Sequence, residues 1–285
     1  PKPFTELAID TNIRLKRVEV MNASRYGFDP HERTDNLTFV ACVARDNAFD
    51  GFTIDFCSNV TLIDCEAYGN GRHGVNVVTG SYGVTITNLN SHSNGASGLT
   101  IQTGNLEIRA LTHDITVLGG TIHSNAVDGI VVREAENVTI GGTAPGQGVL
   151  VEGNGRFGIL VEGAIGVAIT GNTIQNNTGG TGSDSTEVRV RGYLQTHLDS
   201  DPLNDVFEFS SNVSISGNTI GSASGKVKDY GARASDTNGF SFASDNTVVF
   251  MAQRFIQDLS NVSATVMPAN QVPIYNGDNT ITGTE

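Results

Sequence analysis

A short motif that returns every 23 to 31 residues constrains the fold of this chain more than any other feature. The motif is Asn-x-x-x-Gly (one residue longer in its first copy), followed by an alternating run of apolar and polar residues. Successive motif glycines are 24, 23, 24, 31 and 29 residues apart. Short β-rich runs such as Asn59-Val-Thr-Leu recur between the copies. Two or three short strands per repeat, with turns between them, are typical of one coil of a β-solenoid. The motif glycines are Gly27, Gly51, Gly74, Gly98, Gly129 and Gly158.

The repeat predicts an all-β fold, a single-stranded right-handed parallel β-helix with about 23–31 residues per coil. We expect residues 1–250 to form this β-helix module, and residues 251–285 to form a last coil and a C-terminal linker. Strands of successive coils would pair about 4.8 Å apart, so that equivalent residues form columns. Cys42 and Cys65 then fall in an apolar inward column, as small hydrophobic residues. The motif asparagines form a predicted internal ladder of Asn47, Asn70, Asn94, Asn125 and Asn154.

Three segments lengthen the repeat and are predicted to leave the coil: residues 103–113, 141–148 and 179–208. Loops beside one face of a solenoid often form the walls of a binding groove. Each of these segments could equally be a decoration with no role in binding.

Composition and charge exclude several classes of partner. The net charge of −13 argues against nucleic acid, because nucleic-acid binders need a basic surface. No apolar run approaches the ~18 residues needed to cross a bilayer, so we expect no membrane partner. Three cysteines without metal-ligand spacing argue against a disulfide framework and a zinc site. We expect a monomer.

Aligning the runs after the motif glycines brings titratable residues onto one face. The first and third positions after each glycine are apolar and must point inward, so the second and fourth point outward. The residues just before each glycine lie at the entrance to the same face. Three adjacent coils, about 10–12 Å in all, would then gather a phenol, two imidazoles, a guanidinium and two carboxyls. These residues are Tyr26, Asp29, His31, Asp55, Arg72 and His73.

This set fits proton abstraction from a uronic acid. The C5 proton of such a sugar lies next to a carboxylate, so its removal needs a cation to neutralise the carboxylate and a base that works near pH 7. Arg72 suits the first role, because guanidinium binds carboxylate through two hydrogen bonds. Either His31 or His73 could be the base. Tyr26 could return a proton to the opposite ring face, which gives epimerisation, or protonate the departing O4, which gives β-elimination.

The chain also resembles a known enzyme family. Tyr26-Gly-Phe-Asp-Pro-His-Glu32, Asp50-Gly-Phe-x-x-Asp55 and Asn70-Gly-Arg-His-Gly74 are similar to three segments of bacterial mannuronan C-5-epimerases, in order and spacing. The similarity runs from about residue 14 to about residue 180, and more loosely to about 250. The resemblance implies a parallel β-helix that converts β-D-mannuronate to α-L-guluronate within polymeric alginate, outside the cell and with calcium.

The same resemblance implies roles for individual residues. The catalytic set would be Tyr26, Asp29, His31 and Asp55, with His31 as base and Tyr26 as the opposing acid. Substrate binding falls to Arg72 and His73, and we add Glu32 and Arg25. The calcium ligands are unknown. Family catalytic modules have further coils and a cap upstream, so we expect this chain to be a fragment that lacks them.

Three other functions stay open. An alginate lyase, or a bifunctional epimerase and lyase, would use the same base and carboxylate clamp. A pectin-degrading hydrolase would need clustered aspartates and a Gly-His-Gly segment, where this chain has Arg72-His73-Gly74. A non-catalytic solenoid that binds carbohydrate or acts as an adhesin would have no activity, so that His31→Ala would leave the measured activity unchanged.

Overall fold

The computed structural model describes residues 10–30, 33–104, 111–177, 186–195, 206–221, 228–235, 237–238, 240–243, 245–249, 251–259 and 280–282. In these ranges all regular structure is β-strand, and no helix there is long and apolar enough to span a membrane. The strands are β1 (Thr11–Lys16), β2 (Glu19–Met21), β3 (Asp35–Val40), β4 (Val43–Arg45), β5 (Phe52–Asp55), β6 (Ser58–Ile63), β7 (Glu66–Tyr68), β8 (Val75–Val78), β9 (Tyr82–His92), β10 (Leu99–Gln102), β11 (Thr112–His123), β12 (Ile130–Arg133), β13 (Ala135–Gly141), β14 (Leu150–Glu152), β15 (Ile159–Glu162), β16 (Ile165–Thr170), β17 (Thr173–Gln175), β18 (Thr186–Arg191), β19 (Tyr193–Gln195), β20 (Val206–Glu208), β21 (Ser210–Ser211), β22 (Ser214–Ser216), β23 (Thr219–Gly221), β24 (Lys228–Ser235), β25 (Thr237–Asn238), β26 (Ser241–Phe242), β27 (Thr247–Val249), β28 (Met251–Leu259) and β29 (Thr280–Thr282).

The strands stack into a three-sided solenoid, as the repeat predicts. One side is an eight-stranded parallel sheet in the order β28-β24-β18-β15-β12-β10-β8-β5. The other two sides belong to one hydrogen-bonded sheet, because the long strands β9 and β11 bend around the corner between them. Apart from the short hairpin of β19 and β20, each strand pairs in parallel with its equivalent in the next coil. The right-handed parallel β-helix is therefore confirmed.

A left-handed backbone residue explains why asparagine or glycine recurs at one point of every coil. Asn59 has φ 52° and Asn137 has φ 54°, and the equivalent residues of the neighbouring coils also have positive φ. Asparagine, aspartate and glycine tolerate this conformation better than other residues. The Asn-Val-Thr pattern is therefore a conformational signal at the start of a strand. The equivalent residues are Asn36, Gly83, Asp114, Gly166 and Asn212.

The predicted asparagine ladder is present and longer than expected. The side-chain amide of each asparagine donates to the Oδ1 of the next, with N–O distances from 2.7 to 3.0 Å. The same Oδ1 atoms also accept backbone N–H groups of the preceding coil, for example Asn70 N to Asn94 at 3.1 Å. The ladder continues to Asn177 and ends on Glu187, whose carboxylate accepts from Asn177 at 2.6 Å. It therefore satisfies polar backbone groups that the core would otherwise bury unpaired.

The cysteines behave as the column argument predicts. Cys42 is 0% exposed and Cys65 is 1% exposed, and Leu89 occupies the equivalent inward position of the next coil. Burial raises the pKa of the Cys65 thiol to about 11 and that of Cys57 to about 12. All three cysteines are free thiols and are buried. They therefore fill space in the core as small hydrophobic residues.

The prediction that residues 179–208 leave the coil is wrong in part. Residues 186–191 form β18, which pairs with β15 on one side and with β24 on the other. Polar and apolar side chains alternate along most of these six residues, as in a solenoid strand. The longer distance in sequence from the preceding motif glycine hides which residues they pair with. The resulting coil is long: Ala168 pairs with Ser214, 46 residues later. In the first predicted insertion, residues 103–113, Thr112 and His113 already belong to β11. In the second, residues 141–148, all residues from 142 onward lie outside the strands, as predicted.

Strands continue past residue 250, since β28 pairs with β24 and β29 pairs with β27. The expected boundary between a module over 1–250 and a last coil over 251–285 stays a prediction.

We predict that Asn94→Ala destabilises the protein by at least about 2 kcal/mol. The change removes the oxygen that accepts both the backbone N–H and the side-chain amide of Asn70, and each buried donor left unpaired costs about 1–3 kcal/mol. The free energy of unfolding in urea measures the effect. Asn90→Ala is the control, because Asn90 is half-buried and bonds only outward to Glu66. Equal losses in the two variants would contradict a special role for the ladder.

Candidate active site

The predicted site residues that the structure describes do lie on one face, across adjacent coils. This face, which we call the candidate face, is the outward surface of β5, β8, β10, β12, β15 and β18 together with the residues just before these strands. Phe28 bridges to Phe52, which places Asp29 beside Thr53 in the next coil. Asp55 ends β5, and Arg72 and His73 precede β8. The predicted base His31 and the predicted substrate contact Glu32 lie outside the described residues.

Three phenylalanines fix the backbone beneath the first coil of the site. The rings of Phe28 and Phe52 stack with centroids 4.7 Å apart, and the ring of Phe39 meets both edge-on at 5.3 and 5.5 Å. All three side chains are buried. Because Phe28 points inward, Asp29 must point outward, and it is exposed. The aromatic packing therefore sets the direction of the predicted catalytic segment.

Asp50 holds Arg72, a contact that the sequence argument missed. Arg72 donates Nε to Asp50 Oδ1 at 2.6 Å and Nη2 to Asp50 Oδ2. The same carboxylate, which is 0% exposed, accepts the backbone N–H of His73 at 3.0 Å and the amide of Asn76 at 3.1 Å. Its hydrogen bonds to Asp50 raise the pKa of the Arg72 guanidinium further above its usual value.

This pairing changes the role that Arg72 can have. The guanidinium is not a mobile clamp, because the buried carboxylate of Asp50 fixes its plane. The Arg72 side chain is nevertheless 41% exposed. A fixed guanidinium loses less conformational entropy when a second carboxylate binds to its outer edge. The sequence contains a sign of this ion pair. Asp50-Gly precedes one strand and Arg72-x-Gly precedes the next, and the same arrangement recurs at Asp128 and Arg156.

Two guanidiniums lie close to the Tyr26 ring. The Cζ atom of Arg25 lies 5.2 Å and that of Arg72 lies 5.7 Å from the ring centroid. The ring of Phe49 packs against it at 5.7 Å, tilted by 42°. A hydrogen bond to Tyr26 also contributes to the raised pKa of Arg72. Tyr26, the predicted acid, and Arg72, the predicted carboxylate clamp, are therefore in contact. Arg25 lies against the same ring and is exposed to solvent.

Hydrogen bonds fix the tautomer of His73. The backbone N–H of Ser97 donates to Nδ1 at 3.3 Å, so Nδ1 is an acceptor, and the Thr100 hydroxyl lies 3.1 Å from the same atom. Burial lowers the pKa of His73 and outweighs the charge of Asp50, which raises it, while the charge of Arg72 lowers it further. The ring is therefore neutral at pH 7 and carries its hydrogen on Nε2. Such a ring donates a hydrogen bond from Nε2 and is poorly suited to be a base, which favours His31 among the two candidates.

The outward positions of the middle coils differ from the prediction in one respect. Thr53, Asn76 and Thr100 face outward but are only 2–4% exposed, whereas solvent exposure was expected. Thr53 and Asn76 bond to Asp50, and Thr100 contacts His73, so these side chains support the site from beneath. Asp55 and Gln102, at the edge of the strands, are half-buried.

Calcium stays a prediction from the resemblance. Across the described ranges, no three His, Cys, Asp or Glu side chains are grouped as metal ligands. Chelation followed by restoration with Ca²⁺ is the direct test of the expected dependence on calcium.

We predict that, because of His73, the free energy of unfolding decreases as the pH is lowered. Its folded pKa lies below the unfolded value of 6.5, so its contribution is complete above pH 6.5 and is lost as the pH falls from there toward the folded pKa. His73→Asn keeps an acceptor for the Ser97 N–H but cannot gain a proton. The difference in unfolding free energy between wild type and variant should shrink between pH 7 and pH 5, measured by urea unfolding. A difference independent of pH would contradict the buried, neutral state of His73.

Comparisons with known proteins agree with this geometry. The family described as "Right handed beta helix region" matches residues 6–114. Mannuronan C5-epimerase AlgE1 of Azotobacter vinelandii is 47% identical over 131 residues, which cover 46% of this chain and 9% of that protein. Alginate lyase 7 of the same organism is 36% identical over 256 residues, which cover 90% of this chain and 28% of that protein.

A solved structure extends the similarity to nearly the whole chain. The A-module of the Azotobacter vinelandii mannuronan C-5 epimerase AlgE6 superimposes with a TM-score of 0.75 at 30% identity, over 96% of this chain and 64% of that module. The chain thus spans less than two thirds of the length of each of these three relatives. The chain is therefore similar in fold and in sequence to the mannuronan C-5-epimerase A-modules.

Proposed function

We propose that this chain is a mannuronan C-5-epimerase module that converts β-D-mannuronate to α-L-guluronate within polymeric alginate. One observation carries the proposal: Tyr26, Asp29, Asp55, Arg72 and His73 lie on neighbouring coils of one face, and Arg72 contacts Tyr26 while being held by Asp50. His31 follows Asp29 by two residues in the sequence. The secreted setting of the reaction is part of the same proposal.

Arg72 and His73 would bind the sugar carboxylate. When the C5–H bond breaks, its electron pair moves into the carboxylate, which becomes an enolate-like dianion. The outer edge of the fixed guanidinium and the Nε2–H of His73 are donors that are in place before this charge develops. Donors that are already oriented stabilise the transition state more than the ground state, because no reorganisation is needed.

Proton transfer would use the two ring faces of the sugar. His31 takes the C5 proton from mannuronate, and Tyr26 O–H then gives its proton to C5 from the opposite face. The electron pair returns to C5 to form the new C–H bond, and the configuration is inverted. Tyr26 regains a proton and His31 loses one to solvent, so that the atoms and charges balance. Asp29 and Asp55 would orient the base and its substrate.

A lyase is the second candidate. The same dianion can expel O4, in which case the electron pair forms a C4=C5 double bond and Tyr26 protonates the leaving oxygen. The specific observation that favours this alternative is the similarity to Alginate lyase 7, which covers 90% of this chain. Incubation with polymannuronate distinguishes the two reactions, since guluronate signals in proton NMR report epimerisation and ultraviolet absorbance of unsaturated ends reports cleavage.

We predict that Tyr26→Phe lowers kcat about 10²–10⁴-fold while substrate binding persists, because a positioned general acid contributes a factor of that size. His31→Ala should cause a loss of similar size. The rate is measured by NMR on polymannuronate, and binding by calorimetry. Tyr82→Phe is the matched control, since Tyr82 is 44% exposed and stacks on His113 away from the candidate face.

If the Tyr26→Phe variant is fully active, Tyr26 is not the general acid. A wild-type chain that binds polymannuronate without changing it would favour the non-catalytic binding solenoid instead.

A further inference from the structure

The arrangement that holds Arg72 occurs a second time on the candidate face. Arg156 donates Nε to Asp128 Oδ1 at 2.8 Å and Nη2 to Asp128 Oδ2 at 2.6 Å. The backbone N–H of Phe157 donates to the same Oδ1 at 3.1 Å, just as the N–H of His73 donates to Asp50. Asp128 is 1% exposed, and the Arg156 side chain keeps 37% exposure. The two pairs therefore match in geometry, in burial and in exposure.

A continuous backbone ladder connects the two arginines along one edge of the candidate face. Ala96 N donates to Arg72 O at 2.7 Å, Val127 N to Ala96 O at 2.9 Å, and Arg156 N to Val127 O at 2.6 Å. Arg156 is thus three coils beyond Arg72, which is about 14 Å at the ~4.8 Å spacing of paired strands. The residues between them on this edge, Ala96 and Val127, are small, uncharged and half-buried. No charged side chain of this column separates the two guanidiniums.

Like Arg72, Arg156 lies against an aromatic ring. Its Cζ atom lies 5.0 Å from the ring centroid of Phe157. Phe157, Val131 and Leu160 form a buried apolar cluster separate from the main core, on outward positions where the earlier coils carry polar residues. A hydrogen bond between charged groups is stronger where water is partly excluded. This second arginine is therefore built to accept an anion at its exposed edge.

We propose that Arg156 is a second carboxylate-binding site, which binds a further uronate residue of the polymer whose reacting residue is bound at Arg72. The inference rests on the proposed function, and it adds a distal contact that selects for chain length. In a chain with a net charge of −13, an arginine whose plane a buried carboxylate fixes is a specific place for a polyanion to bind. Asp128 is then a positioning residue that sets the direction of the guanidinium.

The test compares long and short substrates. Arg156 lies three coils from Arg72, about 14 Å at ~4.8 Å per coil, so a mannuronate trimer whose first residue is bound at Arg72 extends only two sugar rings toward Arg156 and falls short of it. We predict that Arg156→Gln raises KM for polymannuronate about tenfold, the value of one charged hydrogen-bonded contact, and raises KM for the trimer less than twofold. Arg156→Lys keeps the charge without the two-pronged geometry and should fall between wild type and Arg156→Gln.

Arg45→Gln is the matched control. Arg45 is also ion-paired, to Glu19 and Asp46, but it lies on another side of the solenoid. It should leave both KM values unchanged. Thermal unfolding of each variant checks that the fold is intact, and if Arg156→Gln does not fold, Arg156→Lys gives the comparison.

The results separate the two proposals. An unchanged KM for polymannuronate, or an equal rise for polymer and trimer, would overturn the distal site while the epimerase assignment stands. If the wild-type chain does not react with polymannuronate, the proposed function fails. Calorimetric titration with polymannuronate still decides the distal site in that case, because about tenfold weaker binding by Arg156→Gln supports it and equal binding overturns it.

Discussion

Parallel pairing of each coil with the next is the constraint on which the rest of this structure depends. It places residues that are 23 or more positions apart in sequence within one strand spacing of each other. The backbone ladders alone do not satisfy the turns, where the chain changes direction and its N–H groups point into the core. The asparagine ladder supplies those acceptors in coil after coil. Without it, the corners would hold unpaired polar groups that a buried corner cannot tolerate.

The same pairing explains how a solenoid can build a reactive site from simple strands. A column needs only one outward residue per coil, so a site forms when adjacent columns carry acid, base and cation in the right order. In the candidate site, the buried carboxylate of Asp50 supplies the support. It orients Arg72, the His73 backbone and Asn76 at once, from a position that solvent does not reach. Rigid support of this kind is what differential binding of a transition state requires.

The sequence was sufficient for the architecture and for the placement of most of the site, because both depend on a spacing that can be counted. The glycine repeat predicted the coil, the asparagine column and the inward cysteines. It did not predict that β18 rejoins the solenoid, since the long coil hides the register there. It also overlooked Asp50 as a support of the site. A residue two positions before a strand lies outside the alternating run, so alternation does not reveal its role, which follows from its pairing with Arg72 in the next coil.

Burial of outward-facing residues was a further limit. Alternation predicts the direction of a side chain but not whether another segment covers it. Thr53, Asn76 and Thr100 point away from the core as expected and are nevertheless buried. Their hydroxyl and amide groups are thereby available to the site as fixed partners, where exposed residues would be shared with water.

The asparagine ladder has a direction, and it ends before the solenoid does. Each amide donates toward the C-terminal end, and the series closes where Asn177 donates to Glu187. The strand that contains Glu187 still pairs with β24, and β24 pairs with β28, so coils follow this last member. A second series at another corner continues there: the amide of Asn172 donates to Asn218 and that of Asn218 to Asn246, both at 3.0 Å. Insertion or loss of a coil is therefore compatible with the fold wherever at least one corner can continue such a series.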